Sequence, residues 1–220
     1  MNTRSQVFDL ACEGRQVDEA VSSIFHTVLF HRCQGKFEYG ETDESYTMGT
    51  IGFTDIDCHF IDFTYVCVSS DILRDSVKSA VSLFSEKLRS DESTGTGQIS
   101  LEFFQKKKRS ALLGTIECVP WEVWTVKIEI VNYENEDDRQ MGREIVSETL
   151  SEKVIYIAEV MNRYDYVPRT PAKSELDWVY NTQIPEVQPY LFKIDHSTSS
   201  AVIPSVGSAV KKIIRETLSL

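Results

Sequence analysis

The segment "WEVWTVKIEIV", residues 121–131, constrains the fold most strongly, because apolar and polar side chains largely alternate along it. Successive side chains of a β-strand point to opposite faces, so this alternation predicts a strand with one buried and one solvated face. The buried set is Trp124, Val126, Ile128 and Ile130. Trp121 has the parity of the polar face, where it can be exposed. Such a strand requires a sheet and a layer that covers it.

Five further stretches are rich in β-branched and aromatic residues, which predicts additional strands. They are "QVFDLAC" (6–12), "MGTIGF" (48–53), "CHFIDFTYVCVS" (58–69), "QISLEFFQ" (98–105) and "PYLFKID" (189–195). The acidic segment "TDID" (54–57) lies between the second and the third of these stretches. We predict that it forms a turn.

Three segments carry apolar residues at helical spacing and predict long amphipathic helices. They cover about residues 16–32, about 70–88 with Ser70 as the N-cap, and about 138–162. The apolar stripe of the third helix consists of Met141, Ile145, Leu150, Val154, Ile157, Ala158 and Met161. No internal repeat or long linker divides the chain. The sequence therefore predicts one α+β domain over residues 1–220, with a mainly antiparallel sheet packed against three long helices.

Charge and cysteine content limit the function of these 220 residues. The formal net charge is −11, which argues against a general nucleic-acid binder because most of the surface would repel phosphate. Five cysteines occur in no C-x-x-C spacing, and the first residues lack the apolar segment of a signal peptide. We therefore expect buried, reduced thiols in a cytosolic protein.

No motif of a common catalytic class occurs in the sequence: G-x-S-x-G, the P-loop, H-E-x-x-H and G-x-G-x-x-G are all absent. His26 and His31 lie five residues apart on the first predicted helix, so they point to different faces. Cys58 and His59 are neighbours in a predicted strand and project to opposite sides. We therefore predict no catalytic residue, no metal site and no cofactor.

The segment "FFQKKKRSALLG", residues 103–114, places four consecutive cations before an apolar Ala-Leu-Leu sequence. Such a segment at the end of a strand can be a solvated loop that protects the sheet edge, or a patch for RNA or anionic lipid. It can also be an exposed tip that binds another protein. The acidity of the whole chain disfavours the polyanion ligands.

Several long blocks of the chain resemble the autophagy-related protein 101 family. They are "EGRQVDEA", "IFHTVLFHR", "DIDCHFIDFTYV", "SLEFFQKKK", "ECVPWEVWTV", "VMNRYDYVP" and "VQPYLFKI". The resemblance implies a HORMA domain and a non-enzymatic subunit of the Unc-51-like kinase complex that initiates autophagy. It also implies pairing with the HORMA domain of autophagy-related protein 13, and recruitment of downstream factors at the phagophore assembly site in the cytoplasm.

The sequence departs from this family at one functional position. In the family, the loop between "FFQKKK" and "ECVPWEVW" usually carries an exposed Trp-Pro-Phe tip that recruits downstream factors. Here that place holds Ser110, Ala111, Leu112 and Leu113. Burying a leucine contributes about 1.5–3 kcal/mol, although a leucine offers less contact surface than tryptophan. We expect this partner-binding loop to bind weakly or transiently, or the chain to recruit through another surface, through a different partner or not at all.

The resemblance further implies that pairing with the second HORMA domain uses the helix at about 138–162 and neighbouring strand edges. We expect Asp55 and Asp57, in the predicted acidic turn, to dock a basic residue of the partner. His31 and Arg32, at the end of the first helix, are predicted to contribute to the same pairing.

The sequence leaves alternatives to this scaffold role open. The segment after Pro171 can act as a belt that clasps a peptide against the sheet edge, as some HORMA domains do. The pairing surface can also form a homodimer. The C-terminal tail, a strand followed by an amphipathic helix over about 187–220, can lie on a membrane or a protein. We expect membrane contact to be weak or indirect, and we expect no nucleic-acid partner.

Overall fold

A computed structural model describes residues 3–41, 45–90, 95–108, 116–163 and 167–198 of the chain. Its regular elements, in chain order, are β1 (Arg4–Cys12), α1 (Val17–His31), β2 (Cys33–Gln34), β3 (Phe37–Tyr39), β4 (Tyr46–Met48), β5 (Phe53–Asp57), β6 (Thr64–Val68), α2 (Asp71–Arg89), β7 (Thr96–Lys108), β8 (Ile116–Ile130), α3 (Glu136–Arg163), a 3-10 helix (Lys173–Trp178), β9 (Gln188–Pro189) and β10 (Phe192–Thr198).

The main sheet contains four strands in the order β1-β8-β7-β10. The β7–β8 and β7–β10 pairs are antiparallel, whereas β1 runs parallel to β8. Parallel neighbours need a crossover connection, and here the chain between β1 and β8 includes both α1 and α2. The predicted mainly antiparallel α+β arrangement is confirmed, with this one parallel pair as a difference.

The three predicted α-helices are confirmed to within two residues at each end. Ser70 caps α2 as predicted, since its side chain accepts a hydrogen bond from the Leu73 amide. The 3-10 helix adds a fourth helical segment that periodicity did not reveal. One hydrophobic core extends from Phe8 to Tyr190 and includes residues of all three α-helices. α1 lies at its centre, because it packs against α2, α3 and β6 at once.

The strand predictions between α1 and α2 were partly wrong. The segment 54–57, predicted as an acidic turn, forms most of β5, and residues 58–63 form the turn of the β5–β6 hairpin. Residues 49–52, predicted as a strand, connect β4 to β5. A close backbone contact explains this connection: the Gly49 amide bonds the Lys36 carbonyl, and any side chain at Gly35 would collide with the Gly49 carbonyl.

Trp121 is buried, contrary to its parity in the sequence. The β7–β8 register shifts between Phe103 and Phe104: Phe103 pairs with Glu122, but Phe104 pairs with Pro120. Trp121 is therefore the extra residue of a β-bulge, which changes the side-chain direction along β8. Its ring packs against Phe103 with 5.6 Å between centroids. A bulge of one residue thus changes which side chains of a strand face the core.

The bulge is followed by a buried ion pair that joins α1 to the sheet. Arg32, just after α1, donates from Nε to Glu122 Oε2 at 2.6 Å and from Nη2 to Oε1 at 3.0 Å. Both side chains are almost completely buried. The guanidinium carbon lies 5.7 Å from the ring centre of Trp121, and the Arg32 carbonyl accepts from the Tyr190 amide. Arg32 therefore connects the first helix, the sheet and the C-terminal segment.

We expect the substitution Arg32→Met to lower the free energy of unfolding by about 3–5 kcal/mol, because Glu122 would remain buried without its cation. Urea unfolding followed by tryptophan fluorescence measures the change. The double variant Arg32→Met, Glu122→Leu removes both charges and should recover most of the loss. A single variant as stable as wild type would show that this pair does not hold α1 to the sheet.

Candidate protein-docking site

The outward side of α3 carries large apolar residues in contact with solvent. Met141, Ile145 and Ile155 are 61%, 55% and 61% exposed. Together with Glu148 and Glu152, which are also exposed, they follow one another at intervals of four and three residues. Residues at this spacing lie along one line of a helix. We call these five residues the outer stripe of α3.

The opposite side of α3 explains why this stripe faces outward. Val146, Leu150, Ile157 and Val160 are buried against the rest of the domain. The sequence stripe placed Met141 and Ile145 with the buried residues, and that prediction was wrong because helical spacing also fits a second, solvent-facing line. Exposed apolar residues grouped on one face of a helix are typical of a protein interaction site.

Asp55 and Asp57 lie on β5, and both are exposed. Asp57 accepts a hydrogen bond from Thr64 Oγ1 at 2.7 Å. The β5–β6 hairpin is held against α1, where the Tyr65 ring stacks on buried His26 at 5.8 Å and Phe53 contacts Phe30. The two carboxylates therefore stand on a supported strand and not in a turn, while their predicted pairing role stays a prediction.

The turn of the β5–β6 hairpin touches α3. Ser147 donates a hydrogen bond to the Asp62 carbonyl, and Glu19 of α1 accepts from the amides of His59 and Phe60 at 2.6 and 2.9 Å. Between this turn and α3 lies an open cavity of about 540 Å³, lined by residues 58–62 and by part of α3. The hairpin and the outer stripe thus belong to adjoining parts of the surface.

One thiol, that of Cys58, lines the cavity. Burial, followed by the charges of Glu19 and Asp57, raises the pKa of its Cys58 thiol to about 12, so the thiol stays protonated and is a poor nucleophile. Across the part of the chain that the structure describes, no three His, Cys, Asp or Glu side chains come together as metal ligands.

None of the described helices is both long and apolar enough to cross a bilayer.

The remaining predicted site residues lie in different places. Arg32 is buried in the ion pair with Glu122, so it presents no charge to a partner directly. His31 is half-buried, and burial followed by the nearby Arg32 charge lowers its pKa. Their role in pairing stays a prediction. Ser110, Ala111, Leu112 and Leu113 lie outside the described residues, as does the tail from 199 to 220.

The basic segment is partly a strand. Lys106, Lys107 and Lys108 are the last residues of β7, and the Lys108 ammonium lies 5.4 Å from the ring centre of Trp178. Of the alternatives for this segment, the solvated loop does not apply to these three lysines, because they belong to the β7–β8 hairpin. Arg109 lies outside the described residues.

The cysteines divide into two groups. Cys12, Cys33 and Cys67 are buried free thiols. Burial, followed by the charge of Glu13, raises the pKa of Cys12 to about 12. Burial alone raises the pKa of Cys33 to about 12. Cys58 is half-buried and Cys118 is exposed. The expectation of buried free thiols thus holds for three of the five, and Cys118 departs from it because it lies near the free end of the β7–β8 hairpin.

Comparison with known proteins finds similarity over the complete length of the chain. A family model described as Autophagy-related protein 101 matches residues 9–174. Autophagy-related protein 101 of Xenopus tropicalis is 49% identical, and that of Homo sapiens 48%, each over 220 residues and 100% of both chains. The protein of the same name from Arabidopsis thaliana is 22% identical over 183 residues, covering 74% of this chain and 78% of its own.

We expect the contact between the hairpin and α1 to make the fold sensitive to acid through His26. Burial, followed by the nearby Arg74 charge, lowers the pKa of His26 from 6.5 to about 4. The unfolded chain therefore takes up the proton first, so stability present above pH 6.5 is lost as the pH falls towards 4. The expected loss from this one group is about 3 kcal/mol.

Urea unfolding of wild type and of the variant His26→Phe at pH 7.5 and pH 4.5 checks this expectation. The variant should lose less stability on acidification than wild type, since it lacks the titrating group. His59→Phe, a change of an exposed histidine, serves as the matched control and should follow wild type. Equal acid sensitivity of wild type and His26→Phe would contradict the assignment.

Proposed function

Since this chain belongs to the autophagy-related protein 101 family, we propose that it acts in autophagosome formation as a non-enzymatic scaffold with a HORMA fold. In this role it pairs with the HORMA domain of autophagy-related protein 13 and stabilises that domain within the Unc-51-like kinase complex. It also helps to recruit downstream factors, in the cytoplasm at the phagophore assembly site. Family membership gives the chain its role in autophagy, and the scaffold mechanism is our inference from the surface.

The outer stripe of α3 is the observation that carries this proposal. Met141, Ile145 and Ile155 each leave more than half of their surface exposed on one line of the helix. Burying apolar surface of this size is the main source of affinity between proteins, and it requires a partner domain that covers the helix. The exposed Glu148 and Glu152 between them favour a partner whose facing surface is basic.

The same charges favour a different protein over a second copy of this chain. In a symmetric homodimer, the same patch meets itself. Glu148 and Glu152 would then approach the same carboxylates of the other subunit, and like charges at an interface are unfavourable. The outer stripe therefore supports a heterodimer. Asp55 and Asp57 on the adjoining hairpin add two more carboxylates that can receive basic residues, and we propose that role for them.

The alternative function, a belt that clasps a peptide, has less support. β10 already pairs with β7 from Phe192 to Thr198, so it occupies the sheet edge that a ligand strand would need. Tyr190 is fixed just before it, with ring centroids 5.2 Å from Trp121 and 4.6 Å from Tyr180. A clasp would have to break both the strand pairing and these aromatic contacts.

The recruiting function is proposed for the loop that contains Leu112 and Leu113. This loop connects β7 to β8, and the pairing of the two strands extends to Lys108 and Ile116. The described residues on either side of this loop, Lys108 and Ile116, are exposed, which suits a segment that binds another protein. Two leucines can contribute apolar contact there, although less than the aromatic residues usual in the family.

We expect the double variant Met141→Glu, Ile155→Glu to weaken pairing with the HORMA domain of autophagy-related protein 13 by about a hundredfold or more. Each change replaces buried apolar surface at the interface, worth about 1.5–3 kcal/mol, and adds charge beside glutamates. Size-exclusion chromatography for the one-to-one complex and calorimetry for its affinity measure the effect.

The matched control for this experiment is Ile72→Glu, Leu83→Glu, which alters two similarly exposed apolar residues on α2. Both double variants should unfold at the temperature of wild type, because the altered side chains face solvent in the free protein. If the control weakens pairing as much as the α3 variant, or if the α3 variant pairs normally, the outer stripe is not the interface.

We expect the double variant Leu112→Ser, Leu113→Ser to pair normally with the HORMA partner but to recover fewer additional proteins in a pull-down from cells. The loop is then a recruiting element separate from the pairing surface. Lys106→Ser, Lys107→Ser is the comparison that tests whether the nearby charges, and not the leucines, hold the partners. Equal recovery by wild type and the leucine variant would mean that these residues are not an anchor.

A further inference from the structure

The β5 strand has one free edge within the part of the chain that the structure describes, since it pairs only with β6. Two hydrogen bonds show which residues of β5 bond to β6. The Ser69 amide donates to the Gly52 carbonyl, and the Cys58 amide donates to the Phe63 carbonyl. In an antiparallel pair, residues with inward backbone groups alternate with residues whose groups point outward. Thr54 and Ile56 therefore bond to β6.

The outward backbone groups belong to Phe53, Asp55 and Asp57. These three residues share one parity, and all three are exposed, Phe53 to 63%. The outer edge of β6 differs, because Val68 is buried and Val66 is partly buried. The free edge of β5 thus presents three exposed residues whose backbone groups point away from β6, towards the place of an added strand.

Charge determines which strand this edge accepts. Neither Asp55 nor Asp57 forms an ion pair with any described residue, and Asp57 only receives the hydroxyl of Thr64. Charged residues on an edge strand discourage pairing with a like-charged strand. Two copies of this edge would bring carboxylates together, since opposite side chains of paired strands are about 5 Å apart. The edge therefore rejects a second copy of this chain and attracts a cationic strand.

We propose that β5 is a strand-addition site for an extended segment of a partner protein that carries basic residues at alternate positions. The backbone of that segment bonds to the outward groups of Phe53, Asp55 and Asp57. Its basic side chains meet the two carboxylates, and an apolar side chain covers the exposed ring of Phe53. Main-chain hydrogen bonds supply affinity and the alternate side chains supply specificity, as in other strand-addition complexes.

The inference deepens the proposed scaffold role and rests on it for the place of β5 beside a partner domain. The chemistry of the edge is independent of the identity of that domain. It predicts that a short cationic peptide binds the isolated chain, whereas docking through side chains alone predicts no dependence on the peptide backbone. These two expectations are separable by experiment.

The probe is a seven-residue peptide of alternating valine and lysine, acetylated and amidated, with a fluorescent label. It is added to the full chain, and anisotropy measures binding. In an added strand only every second N–H faces β5. N-methylation of one alternating set of residues should therefore weaken binding about tenfold or more, and N-methylation of the other set should change it less than about twofold. A valine–glutamate peptide of the same length should not bind.

Variants of the chain test the same assignment from the other side. Asp55→Pro removes an outward N–H together with one carboxylate, without breaking a bond to β6, and proline is tolerated on edge strands. It should weaken peptide binding about tenfold or more. Asp55→Lys, Asp57→Lys should abolish binding of the lysine peptide and allow binding of the glutamate peptide. Hydrogen exchange at the amides of 53, 55 and 57 should slow in wild type when the lysine peptide is present.

The inference is overturned if the lysine peptide does not bind wild type, if both N-methylated peptides bind equally, or if exchange at these amides is unchanged. The N-methylated peptides keep the test valid even if a variant fails to fold. The proposed function fails separately, if the HORMA domain of autophagy-related protein 13 does not pair with the chain. Peptide binding that persists in Met141→Glu, Ile155→Glu would show that β5 and the outer stripe of α3 act independently.

Discussion

The buried ion pair of Arg32 and Glu122 is the interaction on which the rest of the structure depends. Burying either charge without the other would be strongly destabilising. The end of α1 must therefore contact β8 where Arg32 can bind Glu122. The β-bulge at Trp121 turns Glu122 towards that place, and the Tyr190 amide bonds the Arg32 carbonyl. The position of α1 then determines where the β5–β6 hairpin rests, because Tyr65 stacks on His26 of that helix.

Two docking features follow from this arrangement. α3 packs on α1 through one side and leaves the outer stripe free, while the hairpin turn reaches α3 through the Ser147 hydrogen bond. The free edge of β5 and the outer stripe are therefore carried by elements in direct contact. Both are acidic, and both combine carboxylates with exposed apolar side chains. A partner with a basic, partly apolar surface suits both, which is the physical basis of the scaffold proposal.

Much of this was predictable from local patterns, and the errors have physical causes. The spacing of apolar residues located all three α-helices, and alternation located β8. Alternation failed at Trp121, because a one-residue bulge reverses parity. Spacing failed at Met141 and Ile145, because an interaction surface has the same composition as a core. The acidic segment 54–57 was predicted as a turn, since a solvent-exposed strand lacks the apolar face that usually identifies a strand in the sequence.

The sequence by itself determined the α+β composition, the order of the helices and long strands, and membership of the family, because these depend on local periodicity and on residue identity along the chain. Only the tertiary structure decided which apolar residues of α3 face solvent, that Arg32 is an internal partner of Glu122, and which backbone groups of β5 point outward. Those properties depend on contacts between residues 90 or more positions apart and on strand pairing, neither of which is encoded in any single segment.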